Sequence, residues 1–270
     1  MPAVSQALVE FANHHRQQAE PGIEVIATPR YEITLQPDFP IAGPNNVSWI
    51  RCRADETDEV IDEVRAVVTT RRLPLMWTLD PETRPADFAD RLQARGVDPD
   101  PHGVESKVMV LPSDATIHTP RVPGLEMVDA LADAEAFQQA DRAATEAFGA
   151  ESLGDDELRV AARERRRRNL LAAGHRYLLL ATVDGEPAGS GSLGLYPPYG
   201  AKMNGGAVRP KFRGRGVYRA LVAARVEIAR RAGVPGLSVW GGDMSRPILE
   251  RLGFKVVGWR RFYVDPTTAG

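Results

Sequence analysis

The chain has one cysteine in 270 residues, Cys52, which excludes an internal disulfide and any metal site built from several thiolates. Cys52 falls in an apolar predicted strand with no histidine close by, so it reads as an inert buried thiol. No run is long and apolar enough to span a bilayer, and the opening segment lacks the basic start and apolar centre of a secretory signal. An excess of either charge is also missing: 34 Lys+Arg stand against 36 Asp+Glu, for a formal net charge of -2. A duplex-binding face needs a basic excess, and the only dense cluster, residues 163–168, contains Glu164 and reads as a solvated helix face. His102 and His175 have no second ligand at metal spacing. No Ser, His, Asp arrangement argues for a hydrolase, and no Lys followed by Ser or Thr marks a P-loop. These absences leave a cytoplasmic protein with no metal, no nucleic acid and no membrane partner as the expectation.

What is present is concentrated in residues 208–220, which read Val, Arg, Pro, Lys, Phe, Arg, Gly, Arg, Gly, Val, Tyr, Arg, Ala. Gly214 and Gly216 permit backbone conformations that side chains forbid, and the unpaired N–H groups of a following helix turn suit phosphate oxygens. Arg213 and Arg215 add positive charge beside those donors. The helix is marked by Val217, Leu221, Ala224 and Ile228 at helical spacing, with Gly233 as its stop before a strand from Leu237 to Trp240. Downstream, residues 245–254 form a short helix ending at Leu252, Gly253 and Phe254.

The two motifs together resemble the GNAT N-acetyltransferase superfamily, whose acyl-CoA loop follows a Gln or Arg, x, x, Gly, x, Gly or Ala pattern. Arg213 matches its first position and Gly216 its central glycine. Tyr218 departs from it, because the family places glycine or alanine there. The resemblance implies that Ala207, Val208, Arg209, Arg213, Gly214, Arg215, Gly216, Val217 and Tyr218 bind acetyl-CoA or another acyl-CoA, the strand 202–208 holding the pantetheine arm with its backbone.

Reading outward gives a strand at 125–128, helices over 130–148 and 155–173, strands at 177–183 and 188–195 joined through Asp184 and Gly185, and the strand 202–208. The implied fold class is α/β (α+β), a GNAT-like mixed, mostly antiparallel sheet flanked by helices. The first half reads as a strand at 47–52, a helix over 57–72, a strand at 73–79, a helix over 85–95 stopped by Gly96, and an apolar run at 108–111. That order echoes the second half, so the chain is expected to hold two related lobes, 1–117 and 118–270, by a diverged internal duplication. At the phosphate-loop position the first lobe has Arg53, Ala54, Asp55, Glu56, Thr57, Asp58 and Glu59, with no glycine and several carboxylates that would repel a pyrophosphate. It is expected to be a degenerate lobe that supports folding, dimerisation or a wall of the substrate cleft, and a homodimer is one expected assembly.

The chemistry implied by the resemblance is transfer of an acetyl group to a primary amine of a small molecule or protein. The amine must lose a proton to attack, and the departing thiolate needs a donor. The family's frequent tyrosine acid lies in the helix before the Leu, Gly, Phe turn, where this chain has Leu249. Glu146 and Glu151, near the acceptor pocket of the resembling family, are the candidate bases, and Ser245 is a candidate donor or helix cap. Asp243 reads as a cap of the same helix or, less favoured, as a base. Residues 196–200, with Tyr196 and Tyr199, form a stiff aromatic loop expected either in the cleft or as a surface turn. The other reading is a non-catalytic acyl-CoA sensor or partner-binding module that kept the cradle, favoured by Leu249.

Overall fold

The computed structural model describes residues 4–118, 121–149 and 156–266. The chain forms two compact units, one made of Arg16–Lys107 with Gly258–Gly270 and the other of Met1–His15 with Val108–Val257. They differ from a division at 117/118 because each unit takes in a terminus from the far end of the chain.

In the first-half unit, strands Glu24–Ala27, Glu32–Leu35 and Asn46–Ser48 pair antiparallel in succession. The sequence predicts a strand to residue 52, but Trp49 takes φ 55, and a bulky residue in that region breaks the extended run. A short turn of 3-10 helix, Ala54–Glu56, leads into helix Thr57–Arg71. Strand Leu75–Leu79 then pairs parallel with Asn46–Ser48, at Asn46↔Met76 and Val47↔Trp77. Helix Phe88–Ala94 follows, shorter than the expected 85–95. Val60, Ile61, Val64 and Val68 recur on one helical face and close over Ile33, Val47, Leu75 and Trp77. Cys52 is buried in this core, where desolvation raises its thiol pKa, which suits the inert role read from sequence.

The other unit repeats that order on a larger scale. Strands Arg176–Val183, Glu186–Tyr196 and Gly200–Val208 are antiparallel, the first two joined through Asp184 (φ 52) and Gly185 (φ 79). A 3-10 turn, Pro210–Phe212, precedes helix Val217–Arg231, and strand Gly236–Gly241 pairs parallel with Gly200–Val208. Strand Leu125–Asp129 lies at the outer edge against Arg176–Val183. Three antiparallel strands, a tight turn, a helix and a parallel strand thus occur in both units.

Helix Ala134–Phe148 starts later than the expected residue 130, because Asp133 is its cap and accepts from the Ala136 N–H at 2.8 Å. It buries Phe137, Ala140, Ala143 and Ala147. Helix Glu157–Ala173 buries no residue fully, and its arginines anchor it instead. Arg163 and Arg166 both donate to Asp141, and Arg167 donates to the Leu131 carbonyl at 2.8 Å. The basic cluster is therefore partly structural rather than wholly a solvated face. A helix absent from the sequence reading, Gln6–His14, is capped by Ser5 and buries Leu8, Phe11 and Ala12 beside Val108 and Val110.

Candidate functional site

The parallel pairing of Gly200–Val208 with Gly236–Gly241 runs only from Ala201↔Leu237 to Met203↔Val239. Beyond Met203 the first strand stays bonded to Glu186–Tyr196, through a bulge between Asn204 and Ala207. The result is a parted strand pair whose exposed residues are Asn204 and Gly205, with Gly206 half-buried. Strand edges left open in this way accept a ligand's amide groups as a further strand would.

Of the strand residues expected to hold pantetheine, Ala207 and Val208 face Ser190 and Gly189 across the bulged ladder. The Arg209 N–H is already spent on the Ala188 carbonyl at 2.9 Å, so Arg209 has no amide to offer. Its guanidinium pairs with Glu146 at 2.6 Å and Glu186 at 3.0 Å. The open edge falls slightly earlier than the sequence placed it, at Asn204, Gly205 and Gly206. A two-glycine step inside a strand is the signal that marked it.

The loop behaves as the glycines require. Gly214 has φ 75 and Gly216 φ 92, and Gly216 is the residue before helix Val217–Arg231. No side chain caps that helix, which leaves its first-turn N–H groups for another acceptor. Arg215 is exposed beside them. Arg213, though exposed, is tied to the backbone: Nε donates to the Val208 carbonyl at 3.2 Å and Nη2 to the Ala147 carbonyl at 2.7 Å. Arg213 thereby fixes the loop against the strand and the end of helix Ala134–Phe148, while Arg215 is an exposed cation beside the helix start, its guanidinium over the Phe212 ring.

Tyr218, the departure from the family pattern, leans toward the strands. A Cβ on Gly206 would lie 3.1 Å from its ring. Its hydroxyl is hydrogen-bonded to Ser245, and burial raises its pKa against the opposing pull of Arg225 and Ser245. Ser245 occupies the cap position of helix Arg246–Arg251 without capping it by its side chain, and its hydroxyl donates to the Gly242 carbonyl at 3.3 Å.

The remaining candidates disperse. Glu146 is held by Arg209, and Glu151 lies outside the described residues. Asp243 is exposed, and Leu249 is fully buried among Met109, Leu193, Phe254 and their neighbours. Tyr196 and Tyr199 form a turn closed by a 2.7 Å bond from the Tyr199 N–H to the Tyr196 carbonyl. Tyr196 stacks at a tilt on Phe11 and His15, so it serves the docking of the N-terminal helix. No group of three or more His, Cys, Asp or Glu is placed to hold a metal among the described residues.

Sequence reasoning missed Arg225. It lies on the buried side of its helix with Val217, Leu221, Val222, Val226 and Ala229, and is 1% exposed. Its signal is a charged residue four positions after Leu221 on an otherwise apolar stripe. Desolvation pushes its pKa down to about 10, so it stays charged at neutral pH.

Comparison with known proteins agrees with this geometry. The model of the acetyltransferase (GNAT) family matches residues 137–254. No curated protein matches the chain. Among solved structures, a GCN5-related N-acetyltransferase from Kribbella flavida superposes with a TM-score of 0.60 at 15% identity, over 91% of this chain and 90% of its own. A conserved protein of unknown function from Staphylococcus epidermidis gives 0.66 at 13%, over 91% and 94%. A tandem GNAT protein from the clavulanic acid biosynthesis pathway gives 0.59 at 16%, over 96% and 87%. At these identities the likeness concerns fold alone, and it extends through the first-half unit as well as the second. Residues 137–254 thus match the acetyltransferase (GNAT) family model, and over most of its length the chain has a fold like that of solved GNAT proteins, a tandem one among them.

Proposed function

We propose that the chain is an acyl-CoA-dependent N-acyltransferase that moves an acetyl group from acetyl-CoA to a primary amine by direct attack. The observation that carries this reading is the juxtaposition of an uncapped helix N-terminus, the left-handed Gly214 and Gly216, and a strand pair that parts past Met203↔Val239. The loop amides and Arg215 would hold pyrophosphate oxygens, and Arg213 would keep the loop in place. The open edge at Asn204 to Gly206 would take the pantetheine amides, and an N–H there would polarise the thioester carbonyl. Acetyl-CoA supplies the activated acyl group; the acceptor is a small-molecule or protein amine.

The catalytic domain in this reading is the second-half unit. In the first-half unit the corresponding helix start is occupied by the chain's own acids: Glu56 accepts from the Arg53 N–H at 2.8 Å, and Arg53 pairs with Asp55 and holds that carboxyl below its usual range. A pyrophosphate there would meet carboxylates already in the anion's position.

A second reading, an acyl-CoA sensor or partner-binding module without turnover, draws support from Leu249, an apolar core side chain where the family often has its acid. Acetyl-CoA turnover against a broad amine panel, followed by thiol release, separates the two. Thermal melting with CoA or acetyl-CoA supplies the binding arm: ligand at a hundred times its Kd stabilises by about 2.7 kcal/mol. A raised melting midpoint with thiol release is expected. A raised midpoint without release from any amine favours the sensor, and no shift together with no calorimetric binding removes both.

A further inference from the structure

The parted strands have a polar cluster behind them that the acyl-CoA reading leaves unused. Tyr218 and Arg225 both crowd Gly206, where a Cβ would lie 3.1 Å from the tyrosine ring and 3.1 Å from Arg225 Nη2. On the neighbouring strand, a Cβ on Gly191 would lie 2.9 Å from Arg225 Cζ, so two glycines make the room that this guanidinium fills. Arg225 Nε donates to the Leu221 carbonyl at 3.0 Å, and Nη1 makes only long contacts to the Ser192 and Asn204 carbonyls, 3.4 and 3.5 Å. Nη2 is buried with no hydrogen-bond partner. A buried cation with a spare donor opposes folding, and it suits a place where negative charge forms transiently. The phenol beside it is the group able to carry such a charge.

Resting on the acyltransferase reading, we propose that Tyr218 delivers the proton that the departing thiolate needs, with Ser245 and Arg225 as positioning residues that hold its hydroxyl at the parted strands. In the transfer, the amine nitrogen forms its bond to the acyl carbon as the carbon–sulfur bond breaks and its electron pair stays on sulfur. The Tyr218 O–H breaks as its proton passes to that sulfur, giving the free thiol. The phenolate, between the Ser245 hydroxyl and the guanidinium, recovers a proton from water, and water takes the proton that the amine nitrogen loses. Burial keeps the phenol protonated at neutral pH, as an acid must be, while Arg225 favours the anion. Arg225 is the charged group acting on this phenol, Ser245 the polar one from the segment after Gly236–Gly241, and on the strand side its ring lies against Gly206.

The test compares the unaltered protein with Tyr218→Phe and Arg225→Met, each checked for folding by circular dichroism and melting. Tyr218→Phe is expected to lower kcat about a hundredfold while calorimetric CoA affinity stays within about threefold. Ultraviolet titration, with the Tyr218→Phe trace subtracted, reads the phenol in the free protein. In Arg225→Met the phenol should titrate at higher pH, because the cation favouring its anion is gone, and the alkaline limb of kcat should move the same way. The melting midpoint of Arg225→Met should not fall. Turnover by the unaltered protein and Tyr218→Phe alike would sink this role alone, as would a phenol titration unmoved in Arg225→Met. Absence of turnover by the unaltered protein would sink the acyltransferase reading and this role with it.

Discussion

Gly216 offers a way to separate conformation from charge. Its φ of 92 strains any L side chain, so Gly216→Ala should cost about 1–2 kcal/mol of stability with a modest loss of CoA affinity. Gly216→Asp adds a negative charge where phosphate oxygens should lie and should weaken CoA at least tenfold beyond the alanine variant, about 1.4 kcal/mol. Calorimetry on the two variants reads the difference, and equal affinities would place the phosphates elsewhere. The arginines should divide likewise. Arg215→Glu should weaken CoA and leave the melting midpoint in place, because Arg215 does not carry the carbonyl bonds by which Arg213 ties the loop down. Arg213→Glu should do both harms, since the carbonyls of Val208 and Ala147 lose their donor. This division was not legible in the sequence, where both arginines flank one glycine equally. The glycines were legible because a left-handed residue leaves a mark in the residue type itself.

The helix starts carry the contrast between the units. Reversing Asp55, Glu56, Asp58 and Glu59 together should leave CoA affinity nearly unchanged while lowering stability. The Arg53–Asp55, Arg30–Glu59 and Arg95–Asp58 pairs would all become repulsive. Exposed pairs contribute little in water, so melting should show only a modest loss. CoA bound at two sites per chain, or binding abolished by these changes alone, would overturn the assignment of one cofactor loop. Element order was readable here because helix Thr57–Arg71 and helix Val217–Arg231 each repeat apolar residues at helical spacing, a local property. Strands Glu24–Ala27 and Glu32–Leu35 were missed because they are four residues long, too short for alternation to stand out. Arg225 stayed hidden for a different reason: an arginine in a helix is ordinarily solvated, and only the neighbouring Gly191 and Gly206 make room for it to be buried.

The chain's termini decide what can be cut. Asp265, fully buried, takes a bidentate pair from Arg65 at 2.7 and 3.2 Å, and Arg65 also donates to the Arg95 carbonyl at 2.9 Å. Asp265→Ala strands a guanidinium and should cost the first-half unit about 3–5 kcal/mol, read by denaturant unfolding. The opposite terminus matters equally to the other unit. A Cβ on Gly200 would meet Phe11 at 2.6 Å, and one on Gly236 would meet Leu8 at 2.4 Å, so helix Gln6–His14 docks at distances that only glycine tolerates. Leu8, Phe11 and Ala12 share a core cluster with Val108 and Val110. A fragment of residues 118–270, the division that the sequence suggests, loses all five of these side chains and uncovers what they touched. In the full chain, truncating Leu8 or Phe11 to alanine should cost about 2–5 kcal/mol each. The fragment, lacking both together with the strand residues 108–112, should therefore fail to unfold cooperatively and should bind CoA at least tenfold more weakly than the intact chain. Circular dichroism melting and calorimetry on the two proteins decide it. A fragment that melts cooperatively and binds CoA as the full chain does would show that the N-terminal helix is dispensable to the unit it packs in.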